Sequence, residues 1–546
     1  MLMKIPTRNL VAASLLACVT AGVGHAAAMV WTGALSGGAE LHVACSTDPS
    51  ECGRALQEAI DTAAADATIT LDAGKVYETS LIVRPKQDAL PDQRLTITTR
   101  GWADKGQGWR GLVTPADKPR MAVLRAARRE NVVVDIQNGP RGGHVNLIGL
   151  AFEANAPSGQ GDLIRIGSDE ERSAGNLASQ ISIRQVLMQG DRGYGQKRGI
   201  AANGRDIDIQ QVWCEEMFQA GQDAQCIAAW NGGQRVHVQY AYLAAGAENL
   251  LLGGARSTSA EVEPRDWVIE DVILHKPLRW REDRANRQVK NLLEFKRGVN
   301  ITARRILAVN NWRAAQDGTA LLVTYMTSGA CPHCGGLENV LLEDVVVLNV
   351  DAGVFLQGYS WREESRNKRK LHGVTLRNVY MHLSTPGRAV LIANVLGRHD
   401  IRIERSTFLN QGTTFVAGSY GRAWVDETAP VRGGPIGGLW LIDNVFAANG
   451  TYGITAPDGS HFGKGIGTFV NEDLQIAGNV VGDAPAAHLE NYNRYTNGGP
   501  PNVAAPGAWM TVKMSESSCS EWAPGKGADC ARLRPIFALL SRLPEP

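Results

Sequence analysis

One short pattern recurs between residues 145 and 480 of this chain: a β-branched alternation, a polar pair, then a second apolar triplet. It reads HVNLIGLAF, QISIRQVLM, DIDIQQVWC, RVHVQYAYL, DWVIEDVIL, NITARRILA, NVLLEDVVV, HGVTLRNVY, DIRIERSTF, GLWLIDNVF and LQIAGNVVG. The copies start at Val145, Ile181, Ile207, Val236, Val268, Ile301, Val340, Val374, Ile401, Leu439 and Leu474, separated by 26 to 39 residues. A period of two means strand rather than helix: in RVHV, Val236 and Val238 face one way and His237 the other. Each copy carries a further apolar piece after a turn, as in ENLLLGG, KNLLEFKR, GTALLVTY, AGVFLQGY and RAVLIANV. Three short strands per repeat make one coil of a right-handed parallel β-helix, an all-β solenoid whose stacked coils bury a core that no single coil could bury. The uneven spacing places insertions in the turns, where a scaffold of this kind carries function.

The ends read differently. Lys4 and Arg8, the apolar run LVAASLLACVTAGVG and the small residues ending at Ala26 predict a signal peptide over 1–26 and a mature chain from Ala27. A rival reading makes Cys18 a lipid-bearing residue. Residues 27–66, with Leu56 and Ile60 at helical spacing, predict an N-terminal cap with a helix. The solenoid is expected over 67–482, and a Pro/Gly linker with a short closing helix over 483–546. No further run reaches the roughly 20 apolar residues of a membrane span. Without Cys18 the cysteines fall into four local couples, Cys45/Cys52, Cys214/Cys226, Cys331/Cys334 and Cys519/Cys530, as disulfides in an oxidising compartment would. Cys331-Pro332-His333-Cys334 lies in a turn before Gly335-Gly336, so the helix start that activates a thioredoxin-type cysteine is missing, and a staple is expected.

Lys plus Arg total 56 against 55 Asp plus Glu, a balance that excludes a general nucleic-acid or membrane-surface binder. The stretch from His275 to Arg313 departs from it, with eleven bases against three acids. If those bases converge on one flank, the partner is an anionic polysaccharide: Lys276, Arg281, Lys290 and Arg313 would hold it, and Trp280 and Trp312, with Trp230 nearby, would stack on its sugars. In NLLEFKR, Glu294 and Lys296 share a face opposite Leu293 and Phe295. This is either a plain surface ion pair or the heart of a site. The chemistry suited to many bases and few acids is β-elimination from a uronic acid, with Lys296 as base, Arg279 and Arg297 neutralising the substrate carboxylate, and Glu294 orienting. Calcium is the one cofactor the pattern leaves room for, held by Glu294 with Asn310, Asn311 and Asp317. Hydrolysis would need two carboxyls about 5 to 9 Å apart, for which Glu294 and Asp317 are the nominees. A non-catalytic glycan-binding or envelope protein is the competing class, and oligomeric state is not legible.

The helix followed by a Gly turn and strand, CGRALQEAIDTAAADATITLDAGKVYETSLIVR, resembles the entry to exported enzymes of the pectin-lyase-like superfamily. Residues from about 225 to 410 resemble a group of exported bacterial right-handed β-helix proteins without an established activity. The likeness lies in WNGGQRVHVQYAYLAAGAENLLLGGA, HKPLRW, VKNLLEFKRGVNI and NNWRAAQDGTALLVT. Lys296 to Asn300 is also similar to the lysine and asparagine of chondroitinase-B-type lyases, which implies a catalytic lysine. Their next coil carries an arginine where this chain has LLVTYM. Leu396 to Arg398 is similar to part of the pectin methylesterase motif, but His399-Asp400 stand where Pro-Trp belongs. The acidic signatures of polygalacturonases and mannuronan epimerases are absent.

Overall fold

The computed structural model describes residues 29–32, 38–86, 89–106, 110–127, 132–155, 161–282, 287–326, 334–358, 371–393, 397–413, 436–448, 474–481, 493–495 and 527–544. Among these, strands form two sheets, of 23 and 10 members, and every pairing is parallel except that of Met29–Thr32 with Glu40–Val43. The predicted repeat starts stack in register: Val145 on Ile181, Ile181 on Ile207, Ile207 on Val236, then Ile301 on Val340, Val340 on Val374, Val374 on Ile401, Ile401 on Leu439 and Leu439 on Leu474. One copy is shifted. Trp267, not Val268, takes the inward place between Val236 and Ile301, where it is fully buried and its indole N–H donates to the Gly233 carbonyl at 2.7 Å.

The polar pair is the corner of the coil. Its second member has positive φ in copy after copy: Gln185, Gln211, Tyr240, Asp271, Arg305, Asp344, Asn378, Arg405 and Asp443 lie between 47° and 57°. A single left-handed residue swings the chain through a corner, so that the alternation before it and the apolar triplet after it both send side chains inward. Val236, Val238, Ala241 and Leu243 all join the main core. A turn then leads to the third strand, exemplified by Glu248–Leu252, in the ten-stranded sheet.

Helix Pro49–Thr62 packs Leu56, Ala59 and Ile60 on the first coils, its N-terminus capped by the Asp48 carboxylate accepting from Ser50 N at 2.9 Å. Gly53 allows this approach, because a Cβ there would stand 2.0 Å from the Glu78 carbonyl oxygen. The stack begins before residue 67, at Glu40–Val43 on Thr68–Leu71, and runs past residue 482, where Asn493–Tyr495 pairs with Asn479–Val481. The closing helix does not sit at the far end. Cys530–Phe537 lies along the flank, with Leu533 and Ile536 in one outer apolar cluster with Leu348 and Tyr380, the Phe537 ring edge-on to Tyr380 at 5.5 Å, and the Arg532 guanidinium on Asp344 at 2.5 Å. That flank is an apolar outer face that also holds the Trp213–Tyr242 stack at 3.9 Å, and the helix covers the part of it on strands Gly298–Asn311 and Leu337–Val350. Disulfides join Cys45 to Cys52 and Cys214 to Cys226. Cys334 and Cys530 are disulfide-bonded too, while Cys331 and Cys519 lie outside the described residues. No helix is long and apolar enough to cross a membrane among the described residues.

Candidate functional site

The third strand of each coil starts where the chain turns a corner. Cys226 and Ile227 both point into the core, as do Leu292 and Leu293, and this doubling leaves Gln225, Glu248 and Asn291 on the outer side of the ten-stranded sheet. Alternation then puts Leu251, Glu294, Leu322 and Phe355 in one outward row across successive strands. Glu248 and Glu294 thus lie on one face of adjacent strands, three positions apart in the register and near enough for the charge of one to act on the other, although 46 positions separate them in sequence.

Both carboxyls are fully buried. Lys296 Nζ lies 2.9 Å from Glu294 Oε1, with the lysine side chain 16% exposed, and Gly254 lies against its stem. Glu248 Oε2 accepts from Gln225 Nε2 at 2.7 Å, but Glu248 Oε1 and both oxygens of Glu294 accept no well-directed hydrogen bond. Buried oxygens in that condition are rare in folded proteins and call for a reason. Burial first, then the Glu294 and Asp223 charges, push the Glu248 carboxyl up to about 8. For Lys296 burial acts downward, yet Glu294 and Glu248 outweigh it and hold the ammonium above the ordinary lysine value. Lys290, paired with Asp223, adjoins the cluster.

Farther along this face a groove of about 320 Å³ is lined by Arg313, Asp317, Thr319, Asp351, Phe355 and Arg388 among others. Beside it, across the turn, Trp280, Arg287, Val289 and Trp312 line a second cavity of about 420 Å³.

No family model and no curated protein matches the chain. Among solved structures, the PL6-family alginate lyase AlyGC is similar over 84% of this chain and 53% of its own, with a TM-score of 0.51 and 13% identity. The chain therefore spans about half the length of that enzyme. An exopolygalacturonase of Yersinia enterocolitica covers 72% of this chain and 75% of its own at TM-score 0.36 and 11% identity, and the catalytic domain of a GH87 α-1,3-glucanase covers 80% and 68% at 0.39 and 10%. The fold is a right-handed parallel β-helix.

On this β-helix the predicted site residues divide. Glu294, Lys296 and Lys290 come together on the third face, and Arg313 and Asp317 line the groove next to them. The others go elsewhere. Arg297 is 2% exposed, pairs with Glu263 at 3.4 Å and donates to the Ala255 carbonyl and Ser257 Oγ, so it ties a turn and reaches no groove. Arg279 and Arg287 share Glu216, at 2.6 and 2.7 Å, on the far side of the turn, and Trp280 is packed into the same knot. Arg281 lies over the Trp312 ring at 5.6 Å. Lys276 is wholly buried, its Nζ donating to the carbonyls of Ala245, Gly246 and Ala247 at 2.5, 2.7 and 2.9 Å; burial pulls its pKa to about 7, with Glu248 opposing.

The basic flank itself dissolves. Arg279, Arg287, Lys290, Arg297, Arg304 and Arg305 reach Glu216, Asp223, Glu263, Glu270 and Asp271, all of which precede the basic stretch in sequence. Of the residues nominated for calcium, Asn310 and Asn311 donate their amide nitrogens to the carbonyls of Lys276 and Lys290, and no group of three ligating acids, histidines or cysteines gathers among the described residues. Leu322 stacks on Glu294, so the coil after the lysine brings no arginine to it.

Sequence reasoning missed Glu248, Asp223, Phe355 and Arg388. The signal for Glu248 was its place at the head of ENLLL, the strand that precedes NLLEF in the stack.

Proposed function

We propose that this chain is an exported carbohydrate-active enzyme that cleaves a polysaccharide lying along the third face of the β-helix, with Glu248, Glu294 and Lys296 at the reaction centre. The observation that carries this reading is the outward-facing buried carboxyl pair, with Glu248 Oε1 and both Glu294 oxygens accepting no well-directed hydrogen bond, bracketed by a lysine on the face along which a groove lies. The disulfides and the signal-like N-terminus support export. AlyGC, an alginate lyase, shares the fold.

At neutral pH the protonation states favour acid–base cleavage by the carboxyl pair. Glu248 keeps its proton up to about 8 and can donate it to a leaving glycosidic oxygen, while Glu294, beside the Lys296 ammonium, serves as the second carboxyl. β-Elimination with Lys296 as base is the second reading, favoured by Arg313 and Arg388 in the adjoining groove, which suit a uronate. It requires Lys296 to lose a proton that Glu294, and Glu248 once ionised, hold in place, so its rate climbs only as the solution turns alkaline.

The test is a panel of polyuronates and neutral glucans assayed from pH 5 to 10, following both new reducing ends and the ultraviolet absorbance of an unsaturated product. Hydrolysis gives reducing ends alone and fades above pH ~8. Elimination gives the absorbance and strengthens with pH. Glycan retention with no product under any condition sinks the enzyme reading and leaves a binding protein.

A further inference from the structure

The groove beyond the carboxyl pair has a composition of its own. Its floor is Phe355 with Leu391 stacked on it, both half-buried on the outer row that includes Glu294. Strands neighbour one another at about 4.8 Å, so Phe355, two strands on from Glu294, lies roughly 10 Å from the reaction centre along the stack. Arg313, from the coil before, and Arg388, from the coil after, both have exposed side chains and flank that floor. Asp351 is engaged by the fold, accepting from Arg313 N at 2.8 Å and from Ser384 Oγ at 2.9 Å, which fixes the turn that carries Arg313. Asp317 stands exposed on the rim.

We infer that this groove is a subsite for a sugar ring bearing a carboxylate, set apart from the scissile bond, and that Arg313 and Arg388 select for that carboxylate. An aromatic floor takes the apolar C–H face of a pyranose. A guanidinium grips a planar carboxylate through two parallel hydrogen bonds, whereas Asp317 suits a ring hydroxyl. The cavity of about 320 Å³ is of ligand size. The inference rests on the reading of this face as a polysaccharide site, and it names the substrate class that site selects.

The experiment is calorimetric titration of the full chain with tetrasaccharides of galacturonate, mannuronate and guluronate and with their carboxyl-reduced counterparts, repeated on Arg313→Gln, Arg388→Gln and Phe355→Ala. At least one acidic tetrasaccharide binds about tenfold more tightly than its reduced form, and each arginine variant removes most of that preference while leaving the reduced sugar's affinity unchanged. Phe355→Ala weakens both forms alike. Equal affinity for acidic and reduced sugars, binding of none, or an unaltered preference in both arginine variants overturns the subsite. The two readings fail separately: acid-selective binding without product rejects cleavage and keeps the subsite. Cleavage that proceeds equally well on carboxyl-reduced glycan rejects the subsite and keeps cleavage.

Discussion

Glu248→Gln removes one buried proton-binding group and keeps its volume and its hydrogen bond with Gln225. In the native chain burial and Glu294 raise the Glu248 carboxyl from 4.5 to about 8. The folded protein therefore binds more protons than the unfolded chain between those values. The group's contribution to stability is full below pH 4.5 and is lost as pH rises toward 8. Lys276 works in the opposite sense: lowered from 10.5 to about 7, it makes stability recover as pH rises above 7. The window in which Glu248 acts without that opposition is pH 4.5 to 7. Each pH unit is worth about 1.4 kcal/mol, so at most roughly 3 kcal/mol is lost across it. The assay is urea unfolding of both proteins at pH 5 and pH 7. Asp135 and Glu215, also raised by burial, cancel in the difference between the two proteins. The wild type is expected to lose about 1 to 3 kcal/mol more than Glu248→Gln between the two pH values. Equal losses would show that Glu248 is already ionised at pH 5, and the acid–base reading of the carboxyl pair would fall with it.

Two further outcomes follow from the packing. Lys276→Met strips the donor from three buried carbonyls and is expected to cost about 3 to 5 kcal/mol, read as a lowered midpoint in scanning calorimetry; a change under ~1 kcal/mol refutes the role given to that ammonium. Gly53→Ala brings a methyl onto the Glu78 carbonyl and is expected to loosen helix Pro49–Thr62, so that limited proteolysis cuts the N-terminal segment earlier than in wild type while the central coils stay protected; an unchanged digestion pattern contradicts the close approach.

The coil architecture was legible in the residues because it rests on local rules. Alternation fixes which side chains turn inward, and a polar pair after each alternation marks a corner wherever it falls. What alternation could not settle was a register ambiguity of one: both Trp267 and Val268 are apolar, and the larger side chain took the inward place once Val236 and Ile301 were stacked around it. The Glu294/Lys296 pairing was likewise local, two residues apart on one strand.

The site was less legible, since stacking brings together residues a whole coil apart. The basic stretch from His275 to Arg313 looks like an anion-binding flank in sequence because its neutralising acids, Glu216, Asp223, Glu263, Glu270 and Asp271, precede it. Glu248 meets Glu294 for the same reason, and Arg313 meets Arg388 across two coils. The C-terminal helix was legible but its seat was not, because an apolar stripe of Leu533 and Ile536 says that a helix must be covered and not which surface covers it. The sequence by itself determined a stack of three-sided coils and, within one position along each alternation, which residues turn inward. Only the tertiary structure decided which outward charges meet across the stack and which line a groove, because Coulomb pairing depends on distance across the stack and not on separation along the chain.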